Sequence, residues 1–266
     1  FLSDMETAPA KKRGWALKQR ELSLKGVEML EQSRDQRGLM VALSYAAFAC
    51  HKLSQLAPTL GERKKLLLEM QNYAFRAVDL RDEVTDYLAR AYALQRLGDA
   101  YRDLGILEGD PNILSRAASN YEEAAKEWSN TGELHRRAEA LTQLADVLLL
   151  QGLLTLGSSG SSPEDSKQGR QLLLRSLKAH QEAAEQFINL FLFHDAGENH
   201  WRMAQIHLVL GEYVEAGEAF RLVEEDFERA ARLVPRTSEA YTVFRSLAST
   251  YRQLTCLLYT SPSPRD

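Results

Sequence analysis

The chain has 266 residues, 44% of them hydrophobic, and a formal net charge of -4. That is enough to bury a substantial core, as one compact domain or as an elongated array, and the charge excludes a global attraction to nucleic acid or to an anionic membrane. Leu, Ala, Glu, Arg and Gln dominate, Ile is scarce and no run alternates with period two; straight-chain residues lose little rotamer freedom on a helix, so the composition predicts an all-α fold.

In chain order, apolar periodicity predicts helices over about 10–33, 36–56, 61–81, 84–106, 112–130, 134–155, 164–193, 196–210, 213–233 and 236–254. Pro9, Pro58, Pro111, Pro163 and Pro235 fall between these segments, where a missing N–H does least harm. The basic clusters Lys11-Lys12-Arg13 and Arg63-Lys64-Lys65 share their helices with acids and read as solvated faces. The apolar runs Val147–Leu156 and Phe187–Phe193 are shorter than the ~20 residues that span a bilayer, so no membrane span is expected. Residues 157–165 read as a flexible hairpin-tip loop, after which Ser162, Pro163 and Asp165 restart a helix as a cap.

Several of these helices repeat one another. A 21-residue interval separates small residues on successive helices at Ala77 and Gly98, at Ala124 and Ala145, and at Ala183 and Ala204. Around the second member a large, small, large and terminal Gly pattern recurs: Leu97-Gly98, Tyr101, Gly105; Leu144-Ala145, Leu148, Gly152; Met203-Ala204, His207, Gly211. The companion helices carry Ala117, Tyr121, Ala124, Trp128 and Ala216, Phe220, Val223, Phe227, each set on one stripe. From the terminal Gly to the small residue of the companion helix the distance varies from 5 to 24 residues, which places insertions at hairpin tips. Stacked antiparallel helix pairs predict that distribution.

The last eleven residues, Cys256–Asp266, read CLLYTSPSPRD and match one translated frame of a sequencing-library adapter. They are expected to be foreign, with the natural reading frame cut after Thr255. Cys50 is then the sole cysteine of the genuine part, so no internal disulfide is expected. The first residue is Phe1, which leaves an upstream leader open.

The set Met203-Ala204, His207, Gly211-Glu212-Tyr213, Ala216, Phe220 and Val223 resembles the tetratricopeptide repeat family. Leu97-Gly98, Tyr101, Gly105, Ala117, Tyr121 and Ala124 fit the same spacing apart from a hairpin insertion. The period here, 44 to 59 residues, exceeds the family's, and most repeats lack a closing Pro. The resemblance implies one array over 1–255, a right-handed superhelix whose concave groove, lined by the first helix of each pair, binds peptides or protein segments. By register, the groove-facing positions are Gln95, Asp99, Arg102, Thr142, Asp146, Leu149, Trp201, Gln205, Leu208, Arg245, Ser249 and Arg252. Trp and Arg dominate interface hot spots, which singles out Trp201 and the two arginines Arg245 and Arg252. The carboxylate clamp of some family members, built from Lys and Asn, is not expected, because its slots hold Gln95 and Asp99 or Thr142 and Asp146.

Catalytic patterns are missing from the sequence. His200 and His207 lie a full two turns apart on one helix, about 10 Å along the axis, too far to share an ion. Cys50 and His51 are neighbours that point to different sides of a helix, so they do not pair as nucleophile and base. No Gly, Lys and Ser/Thr spacing suits a phosphate cradle. The expectation is a cytoplasmic protein-binding adaptor with no enzymatic activity, cofactor or metal and no nucleic-acid partner, self-associating through a final helix that lacks a companion. The alternative is a regulatory repeat segment of a larger regulator or enzyme whose effector domain lies outside this stretch.

Overall fold

A computed structural model describes residues 9–157, 162–233 and 238–260. Packing divides the chain into two compact units, Phe1–Glu133 and Leu134–Asp266. The first contains α1 (Pro9–Glu31), α2 (Gln36–Gln55), α3 (Leu60–Asp79), α4 (Tyr87–Glu108) and α5 (Pro111–Thr131). The second contains α6 (Leu134–Gly157), α7 (Pro163–Asn189), α8 (Phe193–Leu210), α9 (Tyr213–Leu233) and α10 (Ser238–Thr260). Within each unit consecutive helices pack side by side, so the described residues form an all-α helical repeat. No strand occurs among them.

Short polar side chains set where helices start. Asp35, Thr59, Asp86 and Asp110 each accept a hydrogen bond from a backbone N–H of the first turn that would otherwise lack a partner. Ser162 and Asp165 close a reciprocal capping box with Pro163 at the first helical position, as their spacing predicts. Of the hairpin-tip loop expected over 157–165, residues 158–161 lie outside the described residues.

The repeated small residues let helices of one pair meet closely. A Cβ on Gly98 would lie 2.8 Å from Cε1 of Tyr121 across the α4–α5 contact. Only Gly211 of the three expected terminal glycines ends its helix, in left-handed conformation at φ 78°. Gly105 and Gly152 sit inside α4 and α6 instead. Their missing side chains make room for Leu114, whose Cδ2 would be 2.7 Å from an added Cβ, and for Leu173, at 3.0 Å. Close packing, and not helix termination, accounts for both.

Two boundaries depart from expectation. Helix α7 stops at Asn189 and α8 starts at Phe193, because Phe191 adopts φ 60° and turns the chain between them. No Gly or Pro marks the place. The final helix was expected to end near 254, yet it runs to Thr260 and so into the adapter-like stretch, whose residues 261–266 lie outside the described ones.

Helix α6 as a whole is long and apolar enough to cross a membrane by length and composition, with a mean hydropathy of 1.4 over its most apolar window. It packs instead along α7, burying Ala138, Leu141, Leu144, Ala145 and Leu148. In the first unit, Arg13–Glu62 and Arg20–Glu69, both at 2.5 Å, tie α1 to α3, and Arg90–Glu127 at 2.7 Å ties α4 to α5. Such part-exposed pairs each contribute about 1 kcal/mol or less, so they fix register more than they stabilise.

Candidate protein-binding site

The groove positions of the first unit are largely internal. Gln95 and Asp99 are each only 2% exposed, which corrects the expectation that they face a partner. Asp99 accepts hydrogen bonds from the Tyr121 hydroxyl at 2.7 Å and from Arg102 at 3.4 Å, and pairs with Arg96 at 2.8 Å. Arg102 also holds Asp103 at 2.8 Å, whose other oxygen lies 3.1 Å from Nε2 of His51. Burial alone would raise the Asp103 carboxyl, but the His51 and Arg102 contacts outweigh it and hold the group below its usual range. Burial, together with the Asp99 charge, pushes the Tyr121 phenol well above its usual value. This network joins α2, α4 and α5, and its polar groups are spent on one another.

Cys50 is enclosed, and burial pushes its thiol up to about 11, so at neutral pH it stays protonated and unreactive. His51 turns to Asp103 instead.

The second unit is different. Thr142 and Asp146 of α6, Glu198, Trp201 and Arg202 of α8, and Phe227 of α9 line a concavity of about 260 Å³. Three expected groove residues, Thr142, Asp146 and Trp201, therefore converge on one place. Trp201 is held edge-on against Phe220 and Tyr251, with ring centroids 5.4 and 5.5 Å away. That support leaves its position little freedom.

The remaining register positions of this unit do not line the concavity. Gln205 accepts a hydrogen bond from Arg202 at 3.1 Å, and Leu208 packs with Trp201 and Met203 on the core of α8 and α9. Arg252 pairs with Glu224 at 3.3 Å, while Arg245 is exposed and Leu149 and Ser249 are half-buried.

Below the concavity lies His180 of α7, fully buried, which the register reading missed. Its Nδ1 is 2.8 Å from Oδ1 of Asn199, an oxygen that also accepts from the Thr142 hydroxyl at 3.1 Å. The amide nitrogen of Asn199 donates to the Asp195 carbonyl at 2.8 Å, so its Oδ1 can only accept and Nδ1 of His180 carries the proton. The other ring nitrogen, Nε2, is enclosed without a hydrogen-bond partner. Its nearest acidic oxygen, Oδ1 of Asp146, is 3.8 Å away and is itself 3.5 Å from Nε of Arg202. Burial drives the imidazole below its usual pKa, despite the Asn199 hydrogen bond, so His180 is neutral at pH 7. A sequence signal existed: Leu173, Ser176, His180, Ala183 and Phe187 form one inward stripe with a single ionisable member.

The other histidines have separate partners. His200 lies 2.7 Å from the buried carboxylate of Asp226, and His207 lies 2.9 Å from Glu212. His194 pairs with Glu198 at 3.3 Å, and that hydrogen bond raises its pKa.

No family model matches the chain, and no curated protein matches it. Among solved structures, it is similar to BtubC (BKLC) from P. vanneervenii, with 17% identity, a TM-score of 0.36 and coverage of 98% of this chain and 96% of that one. A DHF58 filament is similar at 18% identity and TM-score 0.32, covering 84% and 97%. The de novo designed helical repeat protein DHR64 is similar at 16% identity and TM-score 0.23, covering 96% and 100%. Likenesses this distant carry no argument about what the chain binds.

Proposed function

We propose that the chain is a tetratricopeptide-like scaffold that binds a peptide or protein segment on the first helices of its pairs, with the centre of recognition at Thr142, Asp146 and Trp201. The observation that supports this reading is the concavity of about 260 Å³ where these register positions meet around a supported aromatic ring. Preformed helices keep the ordering cost of binding low, because their side chains are already placed before a partner arrives. Recognition is then the whole of the chemistry, with no bond made or broken. In this reading the protein works in the cytoplasm, in accord with an enclosed, unpaired Cys50 and with an α6 whose apolar side is packed on α7.

The test is binding of the chain to an array of immobilised peptides, compared with Trp201→Ala and Arg245→Ala. Trp201→Ala is expected to weaken captured peptides by about tenfold or more, the effect of removing an aromatic hot spot. Arg245→Ala, at an exposed position of α10 that does not line the concavity, is expected to cost less. Undiminished capture by Trp201→Ala would place recognition elsewhere and overturn this assignment.

A further inference from the structure

We propose that the concavity between α6 and α8 takes a cationic side chain, Arg or Lys, from the bound segment, with Asp146 as its counter-ion and Trp201 as its aromatic wall. This rests on the scaffold reading above and names the chemistry of its partner.

Charge is the first argument. Two carboxylates, Asp146 and Glu198, line the concavity against one guanidinium, Arg202, and the buried His180 adds no positive charge. Arg202 pairs with Asp146 at 3.5 Å and donates to Gln205 at 3.1 Å, so an incoming cation shares Asp146 with Arg202 and the second carboxylate, Glu198, keeps the lining acidic. Any carboxylate entering here meets two others. The surrounding ionisable groups do not reverse the sign: His194 is occupied by Glu198, and Asp195 lies on the same helix turn as both.

The floor of the site is the second, independent argument. The enclosed lone pair of His180 Nε2 has no donor, and Oδ1 of Asp146, which lines the concavity, is 3.8 Å away. Two acceptors face each other there with no proton between them, and the part-exposed Asp146 carboxylate is open to a donor from the concavity side. A cation seated on Asp146 neutralises the carboxylate that faces the lone pair. Thr142, Asn199 and His180 meanwhile hold the floor in one arrangement through their shared hydrogen bonds.

Shape agrees. About 260 Å³ is below the ~300–1,000 Å³ usual for small-molecule sites and suits a single long side chain. Trp gives the strongest cation–π attraction of the aromatic residues, and Trp201 is fixed by Phe220 and Tyr251 before a ligand arrives.

The experiment uses the whole chain and four pools of fluorescent octapeptides, random except for a fixed central Arg, Lys, Met or Glu, titrated by fluorescence polarisation. The Arg and Lys pools are expected to bind at least about tenfold more tightly than the Met and Glu pools. Asp146→Asn is expected to bring the Arg and Lys pools down to the level of the Met pool measured on the same variant, and Glu198→Gln is expected to do so in part. Asp146 is a part-exposed residue, and helical circular dichroism checks that both variants fold. Equal or better binding of the Met or Glu pool overturns the cation assignment and leaves the scaffold reading standing. Absence of binding by every pool overturns the scaffold reading itself.

Discussion

Phe191 stands in left-handed conformation, φ 60°, with 71% of its surface exposed. A side chain there costs about 1–2 kcal/mol through contact of Cβ with the following carbonyl, and little packing offsets this beyond an edge contact with Phe193 at 6.3 Å. Phe191→Gly is therefore expected to stabilise the second unit by about 0.5–1 kcal/mol, after the larger unfolded-state entropy of Gly is subtracted. A lower urea midpoint in the variant would show that the ring contributes more than the strain costs. His180 makes a pH prediction. Its folded pKa lies below the unfolded value, with burial the main cause, so on acidification the unfolded chain takes up this proton first. The stability it contributes is complete above about pH 6.5 and falls as pH drops toward the folded pKa, by up to about 1.4 kcal/mol per pH unit. His194, raised by Glu198, contributes with opposite sign: stability present below about pH 6.5 and lost as pH rises through its folded pKa. Comparison with His180→Gln isolates the first effect: the variant's stability should depend less steeply on pH between 7 and 5. Parallel curves would rule out a neutral, buried His180.

Elements in this chain are set by local signals and then tightened by contacts between helices. The caps at Asp35, Thr59, Asp86, Asp110 and Ser162 lie where short-range sequence puts them, because each satisfies backbone groups within three residues. Glycines inside helices answer to a different cause. Gly98→Ala would press a methyl group on the fully buried ring of Tyr121, which is tethered to Asp99 and cannot move without disturbing that network. A loss of about 1–3 kcal/mol is expected from overpacking. Gly14→Ala, on α1 with nothing within 4 Å of the added atom, should instead gain up to about 1 kcal/mol from helix propensity. Chemical denaturation of the two variants side by side checks both signs, and a neutral Gly98→Ala would mean that the α4–α5 contact has slack. The residue pattern puts Gly105 and Gly152 in the same terminal slot as Gly211, and only the neighbour across the pair shows that the first two serve packing while Gly211 ends its helix.

At the scale of the molecule, the division at Glu133 and Leu134 predicts that residues 9–133 and 134–260 each unfold cooperatively when produced separately, since each carries its own packed helices. A fragment without a thermal transition would contradict that autonomy. Helix α10 leaves Val243, Leu247, Tyr251 and Leu254 from 40% to 58% exposed, at intervals that put them on one stripe; of Phe244, Leu247 and Tyr251, which the sequence reading expects to be partly uncovered, the side chain of Phe244 lies outside the described ones. We expect this stripe to drive self-association. Sedimentation velocity should show concentration-dependent dimers that Leu247→Lys combined with Leu254→Lys abolishes, and a monomer at every concentration would refute it.

Apart from the groove register, which the tetratricopeptide resemblance implies and of which Thr142, Asp146 and Trp201 line one concavity, sequence alone determined the all-α class, the order of the ten described helices and most of their ends to within a few residues. These depend on periodicity and capping, which act over one or two helical turns. Tertiary structure alone decided that Gln95 and Asp99 are enclosed, that Gly105 and Gly152 serve packing, that Phe191 turns the chain, and that His180 sits beneath Asp146. Each of those outcomes depends on which helix lies opposite, and such contacts join residues far apart in the chain, beyond the reach of any local pattern.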